Sequence, residues 1–266
     1  MYLISSRKDF WSCDIISDRD EIRDCTLTDS DPEIDTPTGP DALVAEIKQQ
    51  KTLLLVHGYN NDEDQVCRAY QTIQERVNFD AYDKVIGYTW PGGHVLDYLS
   101  ARDRAKAIAP RLAKWLDLLL ANTKSLDIMC HSLGNFLSLR AMQYLSPSAN
   151  RLRFGWMTAA AVHDEAIEPS EEFFDATKRF EQFCVYHSCR DEVLAFAFPI
   201  AEGDRALGWC GPEDTATIQG KAPHIRVINC KREIAHHSDY KTCAAIYSDM
   251  NQRLVGTNLP QYLTLP

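Results

Sequence analysis

The chain has 266 residues, 45% hydrophobic and 25% charged, a balance ordinary for a globular protein, so disorder is not the default. Its net charge of −10 argues against a nucleic-acid partner, because binding a polyanion means neutralising phosphates with Lys and Arg. Nine cysteines, an odd number with no C-x-x-C pair, argue against a disulfide framework or a structural zinc site.

Tyr2-Leu3-Ile4-Ser5 reads as a short opening strand. Residues 13–41 are rich in Asp, Ser, Thr and Pro and read as a surface excursion, clearest over DSDPEIDTPTGPD. Asp41 is placed to cap a short helix running to about Gln50. Leu53-Leu54-Leu55-Val56 is a continuous apolar run, as expected of a strand covered on both faces. It leads into His57-Gly58-Tyr59-Asn60-Asn61. Residues 62–78 then read as a helix, with Val66, Tyr70, Ile73 and Val77 on one face. Lys84 to Trp90 is the next strand, ended by Pro91-Gly92-Gly93. A helical region spans about Val95 to Ala121, with a kink or restart expected at Pro110.

Leu126 to Cys130 is short enough for a buried strand, and Leu133, Phe136, Leu137, Ala141 and Leu145 share one helical face after it. Phe154 to Val162 and Phe183 to His187 read as further strands. A helix is expected over 192–199 and a Gly- and Pro-rich structured loop over 199–223. His224 to Cys230 is the last expected strand, and a helix from about Asp239 to Leu254 follows. Strands alternate with helices through most of the chain, which implies a mainly parallel sheet with helices on both faces. In such sheets the ligand site lies beyond the carboxyl ends of the strands.

Cys130-His131-Ser132-Leu133-Gly134 puts a serine at a sharp strand-to-helix turn with Gly two residues on, the pattern of a nucleophile elbow. The usual Gly two residues before the serine is here Cys130. A serine hydroxyl needs a base, and the base needs an orienting group. His237, between the last strand and the last helix, and Asp191, after the penultimate strand, stand in the order Ser, Asp, His. His236 competes for the base and Asp164 for the acid. An oxyanion hole needs two aimed backbone N–H groups, which Leu133 and Tyr59 are placed to supply. His57 is expected to hold the Gly58 loop by a hydrogen bond, and His131 to pack beside the elbow. Trp90 reads as core or as pocket lining. Cys189 has no elbow around it. His163 and His187 stand at strand ends without a recognised metal-ligand spacing. Phe196, Phe198, Trp209 and Pro212 are the side chains best placed to wall a pocket.

LLLVHGYNN, YTWPGG, MCHSLGNF, SCRDEVL and HHSDY, in that order, resemble the α/β-hydrolase superfamily. The set is most similar to small bacterial α/β-hydrolases of unassigned function that carry HGYN and HS-x-G motifs. The resemblance covers about Leu53 to Asn251. It implies an α/β-hydrolase fold with a mostly parallel central sheet, helices on both faces and no large cap domain. The expected organisation is a single domain over 1–266. Within it, 1–50 holds the N-terminal strand, polar loop and short helix, 51–254 the core, and 255–266 a C-terminal tail. By the same resemblance Ser132 is the nucleophile, His237 the base, Asp191 the acid, and Tyr59 and Leu133 the oxyanion donors. The expected activity is that of a serine hydrolase on a small-molecule ester or acyl substrate, through an acyl-enzyme, with no cofactor and no metal. An idle site on a hydrolase fold, suggested by Cys130, and an acyltransferase are the alternatives. No apolar run approaches the length of a bilayer span and no leader pattern opens the chain, so a cytoplasmic location is expected. The sequence does not report the oligomeric state.

Overall fold

A computed structural model describes residues 1–27, 33–77, 81–94 and 97–266. Among the described residues ten strands form one sheet, in the order β10-β9-β8-β7-β6-β4-β5-β1-β2-β3. In chain order they are β1 (Tyr2–Arg7), β2 (Ile16–Thr26), β3 (Glu33–Thr38), β4 (Lys51–Val56), β5 (Lys84–Thr89), β6 (Ser125–His131), β7 (Leu152–Thr158), β8 (Phe180–His187), β9 (Ile225–Asn229) and β10 (Tyr262–Thr264). All pairings are parallel except β1 with β2 and β2 with β3. The helices are α1 (Pro40–Ile47), α2 (Glu63–Arg76), α3 (Tyr98–Asn122), α4 (Leu133–Met142), α5 (Phe174–Thr177), α6 (Phe198–Glu202), α7 (Leu207–Cys210), α8 (Thr215–Lys221) and α9 (Ala244–Leu254).

The sheet is covered on both faces, and β4 shows why its sequence is an unbroken apolar run. Leu54 and Val56 pack with α1, α3 and α4 on one face, while Leu53 and Leu55 pack with α2 and α9 on the other. Side chains alternate along a strand, so only a strand buried on both sides needs every residue apolar. Each such fully buried aliphatic chain stabilises the fold by about 2 kcal/mol relative to exposure. The start of α2 is fixed by Asp62. Its carboxylate accepts from Gln65 N at 2.9 Å, and the Gln65 side chain accepts from Asp62 N at 3.0 Å.

Several elements differ from the expectations. Within 13–41 the chain forms two strands rather than a surface excursion. β2 runs antiparallel to β1, and β3 closes that edge of the sheet with Pro37 opposite Arg23. Edge strands face water and carry polar residues and proline without losing their pairing, so they lack an apolar signature. The cap of α1 is Gly39, with Pro40 in the first turn; Asp41 lies inside the helix. The α3 helix runs on through Pro110 with no restart. Residues 95 and 96, where that helix was expected to begin, lie outside the described residues, as does residue 78 at the expected end of α2. The expected loop over 199–223 contains α7 and α8, and a π-helical turn, Val193–Ala197, precedes α6. The final helix is split into a 3-10 turn, Asp239–Lys241, and α9. Residues 255–266, expected as a tail, contain β10, which pairs parallel to β9. Among the described residues no helix is long and apolar enough to cross a membrane.

Candidate active site

Five segments leave the carboxyl ends of adjacent parallel strands and meet above the sheet. They follow β4, β6, β7, β8 and β9. Their central point is Ser132, whose backbone has φ 54° and ψ −126°. A residue with a side chain held there costs about 1–3 kcal/mol, so the surroundings must hold the turn in place. They do so through both peptide groups. Ser132 N–H donates to the Thr158 carbonyl at 3.1 Å. The Ser132 carbonyl accepts from Asn135 N at 3.0 Å, Ala161 N at 3.2 Å and Asn135 Nδ2 at 2.9 Å. Asn135 is fully buried and also donates to the Thr158 carbonyl at 2.9 Å. Gly134 allows the start of α4 to lie against the preceding loop. A Cβ at that position would stand 2.4 Å from the His57 carbonyl oxygen.

Cys130 does not prevent this turn. Its side chain is fully buried and points under α4, where the thiol donates to Ser138 Oγ at 3.1 Å. Burial pushes the thiol pKa up to about 12, so the group is a small inert filler.

The loop after β4 supplies the candidate oxyanion side. Gly58 packs directly on the elbow, since a Cβ there would lie 2.8 Å from Ser132 Cβ. The buried His57 ring stacks on Trp90, with centroids 5.7 Å apart. Its Nε2 accepts from Trp90 N at 3.1 Å, which leaves the proton on Nδ1 to be donated to the Gly58 carbonyl at 2.8 Å. Burial, and then the charge of Arg7, hold the His57 pKa well below the usual imidazole range. Trp90 is a fully buried core residue, and its Nε1 donates to the His57 carbonyl at 2.9 Å. Asn61 Nδ2 donates to the Tyr59 carbonyl at 2.7 Å, and Asn60 N to the Gly92 carbonyl at 3.3 Å. Leu133 is the first residue of α4, so its N–H belongs to the first turn, which has no intrahelical acceptor.

The candidate acid–base side lies across the elbow. His237 Nδ1 stands 2.8 and 3.1 Å from the two oxygens of the fully buried Asp191 carboxylate. Leu194 N also donates to Asp191, at 3.2 Å. The His237 ring lies against His131, centroids 4.7 Å apart, and His131 Nε2 donates to the His237 carbonyl at 2.8 Å. Burial, and then the neighbouring His237, push the His131 pKa well below its ordinary value, so this donor is a neutral imidazole. His237 therefore sits beside the residue that precedes Ser132. The Ser132 hydroxyl makes no hydrogen bond to a described residue in this state. Such contacts are often open before substrate binds and close in the complex.

Of the two neighbouring histidines, His237 turns to Asp191, while the His236 side chain is exposed. Asp164 is buried but faces Arg205 at 2.9 Å and the Cys210 thiol at 3.3 Å, not an imidazole. His187 is buried beneath Trp209 and Gly211, and burial lowers its pKa to about 4. The exposed Cys189 offers its carbonyl to Trp209 Nε1 at 3.0 Å. Of the expected pocket walls, Phe198 is buried against Tyr98 and His163, whereas Phe196 is 69% exposed. Among the described residues, His163, Glu165 and Asp204 bring possible metal-ligand atoms within 4.8 Å of one another, and none of the three is deeply buried. Acidic side chains meet in this way on many surfaces.

Sequence reasoning missed Asn135 and Arg7. Asn135 had a signal, a polar residue on the apolar face of α4 three positions after the serine. Arg7 had none, because it lies fifty residues before the loop it contacts.

Residues 41–257, well over half of the chain, match the model of a family described as alpha/beta hydrolase of unknown function (DUF900). A search of curated proteins finds no match.

Proposed function

The chain belongs to this family of alpha/beta hydrolases, and from that premise we propose that it is a serine hydrolase acting on an ester-type bond. The observation that carries the reading is the His237 imidazole, held at 2.8 Å by a buried carboxylate and set beside the strained Ser132 turn. Asp191 keeps the proton on Nδ1, which turns the basic Nε2 edge outward. Substrate brings Ser132 Oγ and Nε2 into contact. The hydroxyl oxygen attacks the acyl carbon as its proton passes to Nε2. The N–H groups of Tyr59 and Leu133 receive the oxyanion of the tetrahedral intermediate. Collapse breaks the bond to the leaving oxygen, which takes the proton from His237. A water then gives its proton to Nε2 and attacks the acyl carbon, freeing the acid and Ser132. A cytoplasmic setting goes with this reading, since nine free cysteines need a reducing compartment.

A fluorophosphonate probe tests it. Labelling of the wild type at Ser132, absent in Ser132→Ala, is expected, together with hydrolysis of short aryl esters. A folded wild type that labels no better than Ser132→Ala would falsify the reading. It would select the idle-site alternative, to which the unbonded Ser132 hydroxyl otherwise lends support. A panel of esters and thioesters of increasing chain length then sets the acyl preference.

A further inference from the structure

Arg7 ends β1, and its side chain is fully buried. Among the described residues no carboxylate forms an ion pair with it. A guanidinium does not lose its charge in a protein, and an unpaired buried charge is costly to keep. What the cation touches is the loop after β4. Arg7 Nη2 donates to His57 Nε2 at 3.0 Å and to the Asn61 carbonyl at 2.9 Å. Nη1 reaches the Trp11 carbonyl at 3.4 Å, on the turn that follows β1. One nitrogen thus grips both ends of the five-residue segment that contains Gly58 and Tyr59.

We propose that Arg7 is a positioning residue for the oxyanion hole, an inference that rests on the serine-hydrolase reading of Ser132. The chain of cause is short. A cation at Nε2 polarises the imidazole and strengthens Nδ1–H as a donor. That N–H holds the Gly58 carbonyl at 2.8 Å. The Gly58 C=O and the Tyr59 N–H belong to one trans peptide plane and point in opposite directions. Tying the carbonyl to the buried ring therefore turns the Tyr59 N–H away from that ring. Three further polar groups of the segment are engaged: the Tyr59 carbonyl by Asn61 Nδ2, Asn60 N–H by Gly92, and the Asn61 carbonyl by Arg7 itself. The peptide plane is held at both ends before substrate arrives, which is what a preorganised oxyanion donor requires. The buried positive charge also favours negative charge developing nearby.

The test compares wild type, Arg7→Met and Arg7→Lys, with melting temperature, kcat, KM and affinity for a trifluoromethyl ketone that forms a tetrahedral adduct on Ser132. In Arg7→Met, kcat and ketone affinity are expected to fall together by about 100-fold, with KM within about two-fold. Arg7→Lys keeps the charge but cannot reach both acceptors, so an intermediate loss is expected, and it serves if the Met variant does not fold. Added methylguanidinium should restore part of the activity of Arg7→Gly. Unchanged kcat and ketone affinity in the folded variants, beside an active wild type, would remove Arg7's role and leave the serine-hydrolase reading standing. So would a loss confined to melting temperature or KM. A wild type that neither turns over esters nor labels at Ser132 removes both.

Discussion

Two loops meet at Ser132 from opposite sides, and they are held by different means. The loop after β4 is fastened from behind by buried groups: the Arg7 guanidinium, the neutral His57 ring and the Trp90 indole. The loop after β9 is fastened partly at the rim, through Asp239, and partly from within, through the buried Ser188. Asp239 accepts from Ala235 N at 2.9 Å and His236 N at 2.7 Å, and Ser188 Oγ donates to the Ile234 carbonyl at 2.9 Å. In the proposed reaction this is a division of labour. A backbone dipole stabilises charge only if it does not have to reorient, so its loop is built into the core. A base has to approach the hydroxyl, take its proton and hand it on, so its loop needs a fixed tautomer more than a fixed position.

Substitutions on each side sharpen that contrast. The largest effect is expected at Asp191→Asn. An amide offers no charge to the imidazolium and no longer fixes its tautomer, so kcat should fall by about 10³–10⁴ in steady-state ester hydrolysis. The melting temperature should move little, because the amide oxygen can still accept from Leu194 N. A loss under ten-fold would mean that Asp191 does not set the base. On the other side, Gly58→Ala adds a Cβ 2.8 Å from Ser132 Cβ and 3.0 Å from the His131 carbonyl oxygen. The loop cannot yield, so kcat should drop by about 100-fold while esters still bind. Full activity in Gly58→Ala would show the loop to be softer than its bonds imply.

The smallest effect separates the interior from the rim by pH. His187 is buried and neutral, its pKa lowered from 6.5 to about 4 by desolvation. The unfolded chain takes the proton first. Stability is therefore complete above pH 6.5 and is lost as pH falls towards 4, by about 3 kcal/mol from this residue. Urea midpoints between pH 7.5 and 4.5 should show that slope, and His187→Asn should flatten part of it. An unchanged slope in the variant would assign the acid sensitivity to His57 and His131, which are depressed in the same direction.

Much of the fold was legible because its parallel strands are buried on both faces, as the run Leu53 to Val56 announces. The strands β2, β3 and β10 were not legible. They lie at or next to the sheet edges, where polar residues pair as well as apolar ones. The candidate site was legible where a residue type does local work: Ser132 at a turn, Gly58 at a close approach, His237 ahead of a helix. The family resemblance put His237 ahead of His236, but no local pattern separates two adjacent histidines, which differ only in which way the backbone turns them. Asn135 and Arg7 act through hydrogen bonds to backbone and to distant segments, and no spacing in a sequence encodes such a partnership.

The turn at Ser132 has one more consequence. Its φ of 54° is a conformation that glycine reaches freely and serine does not. A glycine there would hold the same turn with less strain and give a more stable protein that lacks the hydroxyl. On the serine-hydrolase reading, the chain keeps its native state somewhat less stable than the same architecture permits, and stability and reactivity trade against each other at a single residue.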